Sequence, residues 1–337
     1  MLALIQYRPM ATVPVAGQLT RWINAFRDKV NFAGIETRSH LPVHMLATGS
    51  WAQELADLLE RERAAVAPVV RVWQHEGPAP AHDAALRCIL FAASAVADNA
   101  EAIARCSAIG LPVFVIERHD GVTARIRKPA AGVPGRYSLS SLDSHELHRF
   151  VLPDVVDVCG DADVALAAAL PIFRPTVAAK LTVDCAITSL KVAGASALAD
   201  HVPIVGLVLG GIASAGDTLA ITGLQMNMLL HIAAAYGRKA EFARIIELLP
   251  VVGGGYGWRA LARELSGFIP VAGIAVKAGI AYAGTLVVGQ AAAHFYETGS
   301  PMGTEKVSAL YREAVERAKK LVLDVAQRFA PAKTSIK

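Results

Sequence analysis

Several groups of residues have types and spacings that could do chemistry. His145 and His148 stand at i, i+3 with Asp143 and Glu146 beside them, so two imidazoles could share a divalent cation. No third ligand cluster accompanies them, and a solvated helix face accounts for the same residues. His75, Glu76 and His82 surround a Gly-Pro-rich loop and carry the same two readings. Gly255-Tyr-Gly257-Trp-Arg-Ala260 satisfies GxGxxA, the pattern that brings a pyrophosphate to a helix N-terminus. It lacks the flanking βαβ pattern and reads better as a turn between helices. Asp217 and Lys277 each interrupt a long apolar run, where an ionisable group is costly unless paired or wet. One reading pairs the two and locks two hairpins together. The other puts each at a helix end, Asp217 as a cap after Gly216 and Lys277 snorkelling from just past Pro270. No GxSxG occurs, and no cysteine–histidine pairing stands out. Cys88, Cys106, Cys159 and Cys185 have no CxxC spacing and read as reduced, buried thiols of a cytosolic compartment. The residues thus nominate no catalytic group, no metal ligand and no cofactor.

The elements that must position these residues divide into two kinds. Over 41–158, short apolar runs alternate with helical patterns. Pro42 to Ala47, Ala67 to Trp73, Leu86 to Ala92 and Pro112 to Ile116 read as strands. Trp51 to Arg63, Asn99 to Ile109 and Ser144 to Val151 read as helices. Strands alternating with helices imply a parallel sheet with crossovers. Residues 161–337 read as helix, with breaks at Pro203, Gly216, Gly237, Gly253 to Gly257 and Pro270. Segment 1–40 precedes both. Within it Leu19, Trp22, Ile23, Phe26 and Val30 make the apolar stripe of an amphipathic helix, suited to a membrane surface or to a neighbouring domain. The start MLALIQYRPM does not read as a signal peptide.

Set on those strands, three motif positions resemble an Era-like small GTPase that has lost its ligands. A phosphate loop needs GxxxxGK[ST], whose backbone N–H groups cradle phosphate while lysine and hydroxyl serve charge and magnesium. Gly49 holds the first glycine, but Glu54, Leu55 and Ala56 replace the second glycine, the lysine and the hydroxyl. No GK[ST] occurs elsewhere in the chain. Val72-Trp73-Gln74-His75-Glu76-Gly77 resembles the DxxG segment, with Gln74 for the metal-linked aspartate and Gly77 retained. Val115-Ile116-Glu117-Arg118-His119-Asp120 resembles the base-reading NKxD, with Glu117 and Arg118 for Asn and Lys and Asp120 retained. The resemblance implies a P-loop-type parallel sheet with no Mg²⁺ site and little affinity for GTP.

Composition turns the helical half toward a membrane. The chain of 337 residues is 54% hydrophobic and only 18% charged, with mean hydropathy +0.41. Two glycine-rich apolar runs, Val202 to Leu230 and Phe268 to Ala293, concentrate the shortfall of charge. Each opens on Pro-x-x-Gly, at Pro203 and Pro270, which hints at a duplicated helical hairpin. The piece from Pro203 to Gly216 is too short to span a bilayer; the second run is long enough to cross once. Gly206 and Gly210 form a GxxxG suited to tight helix contact. From Pro301 to Lys337 eight basic residues face four acidic ones, so the tail's excess equals the net charge of +4. That fits a cytoplasmic flank near anionic lipid, or a solvated amphipathic helix. No basic patch is interleaved with aromatics, so nucleic acid is not a partner.

Particular segments also resemble the YcjF-type domain of unknown function. They are Leu166 to Arg174, Asp217 to Met226 with Gln225, His231 to Gly237, and Gly253 through Trp258 and Arg259 to Gly273. The resemblance implies a helical, membrane-associated domain of the bacterial inner membrane, often beside a GTPase module. In that reading Asp217, Gln225, Trp258, Arg259 and Lys277 are structural or membrane positions. The sequence therefore leads to an α/β plus all-α chain: a degenerate GTPase-like sheet domain, then a helical domain with two apolar hairpins. The function expected is a non-catalytic membrane protein with the sheet on the cytoplasmic side. Its partners would be a membrane, a protein such as a true GTPase, and a second copy of itself. A divergent active GTPase and a soluble, cytoplasmic helical interaction protein are the alternatives.

Overall fold

A computed structural model describes residues 30–63, 67–78, 80–81, 83–94, 99–118, 125–127, 133–199, 206–253 and 273–329. Helix α1, Phe32–Ser39, is capped by Asn31, whose side-chain oxygen accepts the Gly34 N–H at 2.8 Å. Then follow β1 (His44–Gly49), α2 (Ala52–Leu59), β2 (Val70–Val72), β3 (Leu86–Ser94), α3 (Ala100–Ser107), β4 (Val113–Arg118), β5 (Arg125–Arg127) and β6 (Gly135–Leu139). A helical path continues through α4 (Ser144–Glu146), a π-helical turn (Leu147–Val151), α5 (Leu152–Cys159) and α6 (Asp163–Ala169). Long helices complete the chain: α7 (Arg174–Ala199), α8 (Gly206–Ala235), α9 (Phe242–Gly253), α10 (Gly273–Thr298) and α11 (Thr304–Phe329).

The six strands form one sheet in the order β2-β1-β3-β4-β6-β5, with only the β5 edge antiparallel. The period-2 alternation of strand side chains sends successive residues to opposite faces. Met45, Ala47, Cys88, Leu90, Phe114 and Ile116 join one apolar cluster, and Leu46, Ile89, Phe91, Val113 and Val115 the other. Burial on both faces explains why these strands read as unbroken apolar runs. Cys106 of α3 closes the second face. The first face packs on α2, whose Leu55, Leu58 and Leu59 point inward while Gln53, Glu54 and Asp57 point to solvent. The same cluster continues through Val151, Val155, Leu166, Phe173, Leu230 and Ala234, so sheet and helices share one core.

Helices α7, α8, α10 and α11 form the bundle. Helices α7 and α10 run antiparallel, with Thr182 beside Gly289 and Gly194 beside Ala278. A Cβ at Gly289 would overlap the Thr182 side chain, so glycine sets this close approach. Helix α11 covers α10 through Tyr311, Ala314 and Ala318, which meet Tyr282, Ala283 and Leu286. Among the described residues no helix is long and apolar enough to cross a membrane.

Several expectations need correction. The break at Gly216 is absent: α8 runs unbroken from Gly206 to Ala235, carrying Gly216 and Asp217 in its interior. Asp217 therefore does not cap a new helix there. One glycine costs a helix only about 1 kcal/mol relative to alanine, and the helix continues through it. Strands β5 and β6 were not anticipated, because Gly135-Arg-Tyr-Ser-Leu139 mixes polar residues into a stretch rich in glycine and proline. The expected helix Ser144 to Val151 starts where Asp143 accepts the Glu146 N–H at 2.8 Å, and it widens into the π-helical turn. The amphipathic stripe Leu19 to Phe26 and the pattern Gly255 to Ala260 lie outside the described residues.

Candidate functional site

In an open parallel sheet, ligands bind at the carboxyl ends of the strands, where the strand order reverses. Here that place is the β1/β3 crevice. The chain passes from Gly49 to α2 in only two residues, Ser50 and Trp51. Gly49 has φ +102°, and a Cβ on it would run into the Ala92 carbonyl of β3. That same carbonyl accepts the Ser50 N–H at 2.9 Å and its hydroxyl at 3.2 Å. The Trp51 indole N–H donates to the Ala93 carbonyl at 3.1 Å. The connection is thus stapled across the crevice, and an N–H that a phosphate cradle would need is spent on the sheet.

Helix α2 starts before the remaining motif positions are reached. Leu55, in the lysine position, is fully buried in the core, and Ala56, in the hydroxyl position, is nearly so. Glu54 lies in the first turn of α2, where a carboxylate complements the free N–H groups. Arg118 Nη1 approaches both its oxygens at 3.2 Å. An arriving phosphate would compete with that carboxylate.

The other motif positions surround the same edge. Gln74 and Gly77 close a tight turn after β2, the Gly77 N–H donating to the Gln74 carbonyl at 2.8 Å. Glu117 is buried between strands, accepting Arg136 Nε at 2.8 Å and the Ser138 hydroxyl at 3.1 Å. It ties β4 to β6. Asp120 and His82 lie outside the described residues. Thr48 and His75, 27 residues apart in the chain, meet at 3.2 Å between hydroxyl oxygen and Nδ1, with the imidazole edge-on to Phe91 at 5.6 Å, a contact that no sequence spacing signals.

In the bundle, Gln225 has identifiable partners. Its Nε2 donates to the Thr285 hydroxyl at 3.0 Å, which lies 3.2 Å from the Ser189 hydroxyl. One polar layer thus joins α7, α8 and α10. Asp217 and Lys277 lie in α8 and α10, their side chains outside the described residues, as are Trp258 and Arg259. Among the described residues no group of three His, Cys, Asp or Glu could hold a metal ion. His145 is exposed, and His148 instead meets the Thr176 hydroxyl at 3.2 Å.

A second concave site lies at the seam between sheet layer and bundle. It is a cavity of about 360 Å³ whose polar lining includes Arg61, Glu62, His148, Arg174, Tyr236 and Glu297. The Arg174 guanidinium sits over the Tyr236 ring, 5.8 Å from its centroid, and burial lowers its pKa from the usual arginine range. The Tyr236 hydroxyl donates to Glu297 at 2.9 Å. Burial lowers the His148 pKa, against an opposing pull from Glu297. Arg174 and Tyr236-Gly237, far apart along the chain, meet here.

The class these features define is a parallel α/β sheet sharing its core with a long-helix bundle. No known family model matches the chain, and no curated protein or solved structure is significantly similar to it.

Proposed function

We propose that this protein is a non-catalytic, membrane-associated interaction protein whose sheet domain is a GTPase-like platform without a nucleotide site. The observation that carries the reading is the β1–α2 connection. It is two residues long, hydrogen-bonded to β3, and followed by a buried Leu55 where a phosphate-binding lysine would stand. Phosphoryl transfer depends on positioning and on neutralising the β- and γ-phosphate charge. A leucine in the core and a glutamate at the helix start supply neither. In this proposal the finer identities are a decayed P-loop-type sheet and a YcjF-type helical domain with paired apolar hairpins. The apolar runs around Pro203 and Pro270 attach the protein to a bacterial inner membrane. The sheet faces the cytoplasm and meets a protein partner, a GTPase of related fold or a second copy.

Two experiments test the two halves of the reading. Incubated with GTP and magnesium, the purified chain should release phosphate no faster than buffer. Turnover that scales with protein concentration and is lost when Gln74 is replaced would establish the divergent-GTPase alternative. In fractionated cells the chain should stay with membranes through carbonate washing and leave only with detergent. Release by carbonate alone would favour the soluble interaction protein.

A further inference from the structure

Two arginines and two glutamates line the seam cavity, and none of the four forms an ion pair among the described residues. Arg61 and Glu62 come from the turn after α2, Arg174 from the start of α7 and Glu297 from the end of α10. Arg61, Glu62 and Glu297 are exposed at its rim and Arg174 is half-buried within it, so all four charges are open to a ligand. The lining is balanced in sign, so a ligand of either single charge would leave the other sign unanswered. Leu58 and Ile172 add apolar wall. At about 360 Å³ the cavity falls at the small end of the range for small-molecule sites.

Two departures from regular backbone converge on it. Glu62 has φ +71°, and it is the one non-glycine residue with positive φ among the described residues. His148 enters the lining from the π-helical turn, a distortion often found at functional sites. Irregularities of this kind persist where surrounding structure holds them for a purpose.

We propose that the seam cavity binds a small zwitterion of amino-acid size, its carboxylate on Arg174 and its ammonium on Glu297. Arginine presents a fork of donors matched to a carboxylate. Glu297, already accepting from Tyr236, has lone pairs left for an ammonium group. Glu62 supplies a second acceptor, and the side chain of the ligand lies against Leu58 and Ile172. The proposal is independent of whether the strand ends bind nucleotide.

The test uses the full chain and the proteinogenic α-amino acids, one at a time at millimolar concentration, read by thermal shift and then by calorimetric titration. At least one should raise the melting temperature saturably. Its N-acetyl derivative lacks the ammonium and its amide lacks the carboxylate, so neither should do so. Arg174→Met and Glu297→Gln should each weaken affinity about tenfold or more. Because Arg174→Met also removes the contact with Tyr236, the two derivatives provide the test on the unaltered protein. Absence of any shift would overturn the proposal. So would binding of the N-acetyl derivative as tight as the parent, or unchanged affinity in the folded Arg174→Met variant.

Discussion

At the scale of single residues, Asp163 is the most exacting polar group outside the two sites. It is 1% exposed, its Oδ1 lies 2.7 Å from Arg38 Nη2, and Lys180 Nζ stands 3.4 Å from its other oxygen. It ties α1 to α6 and α7. Removing one partner of a fully buried pair costs about 3–5 kcal/mol. Arg38 and Lys180 keep roughly a third of their surface in water, so Asp163→Ala should cost less, about 2–3 kcal/mol in urea unfolding. An unchanged midpoint would contradict this account of the triad. Two histidines add a pH dependence. Burial lowers the pKa of both His148 and His231 from the usual 6.5, and His231 spends Nδ1–H on the Asn227 carbonyl at 2.8 Å. The unfolded chain takes up these protons as pH falls through about 6.5, while the folded rings resist protonation until lower pH. Their contribution is therefore full above that value and is lost below it. Unfolding midpoints should drop from neutral to mildly acidic pH, and drop less in His231→Gln; equal drops in the two proteins would contradict this. Neither Asp163 nor His231 stands out in the sequence as a buried polar group, because burial is set by partners distant along the chain.

At the scale of elements, legibility followed burial. Strands β1, β3 and β4, covered on both faces, could be read as apolar runs. Strand β6 could not, since its Arg136 and Ser138 alternate with Tyr137 and face Glu117 instead of a purely apolar neighbour. Gly216 reads as a break because glycine is a local break signal, yet its cost of about 1 kcal/mol is too small to interrupt α8. The layer of Gln225 with Thr285 and Ser189 was not legible, because those residues lie on other helices. A double-mutant cycle on Gln225→Leu and Thr285→Val should reveal coupling of about 0.5–1.5 kcal/mol. Strict additivity would mean that the layer does not couple α8 to α10.

At the scale of the whole molecule, one apolar core runs from the sheet into the bundle, and the two notable sites lie at its margins. One lies around the ends of the strands, with Gly49 closing β1, Glu117 near the end of β4, and Gln74 and Gly77 in the turn after β2. The other draws on residues from 58 to 297 and is legible only once the chain is folded. At the first, the proposal is that the sheet is GTPase-like and that its phosphate position is filled by its own chain. Calorimetric titration of the full chain with GTP in the presence of magnesium tests it most directly. The account predicts no saturable heat up to millimolar nucleotide. Micromolar GTP binding that disappears when magnesium is chelated would contradict it.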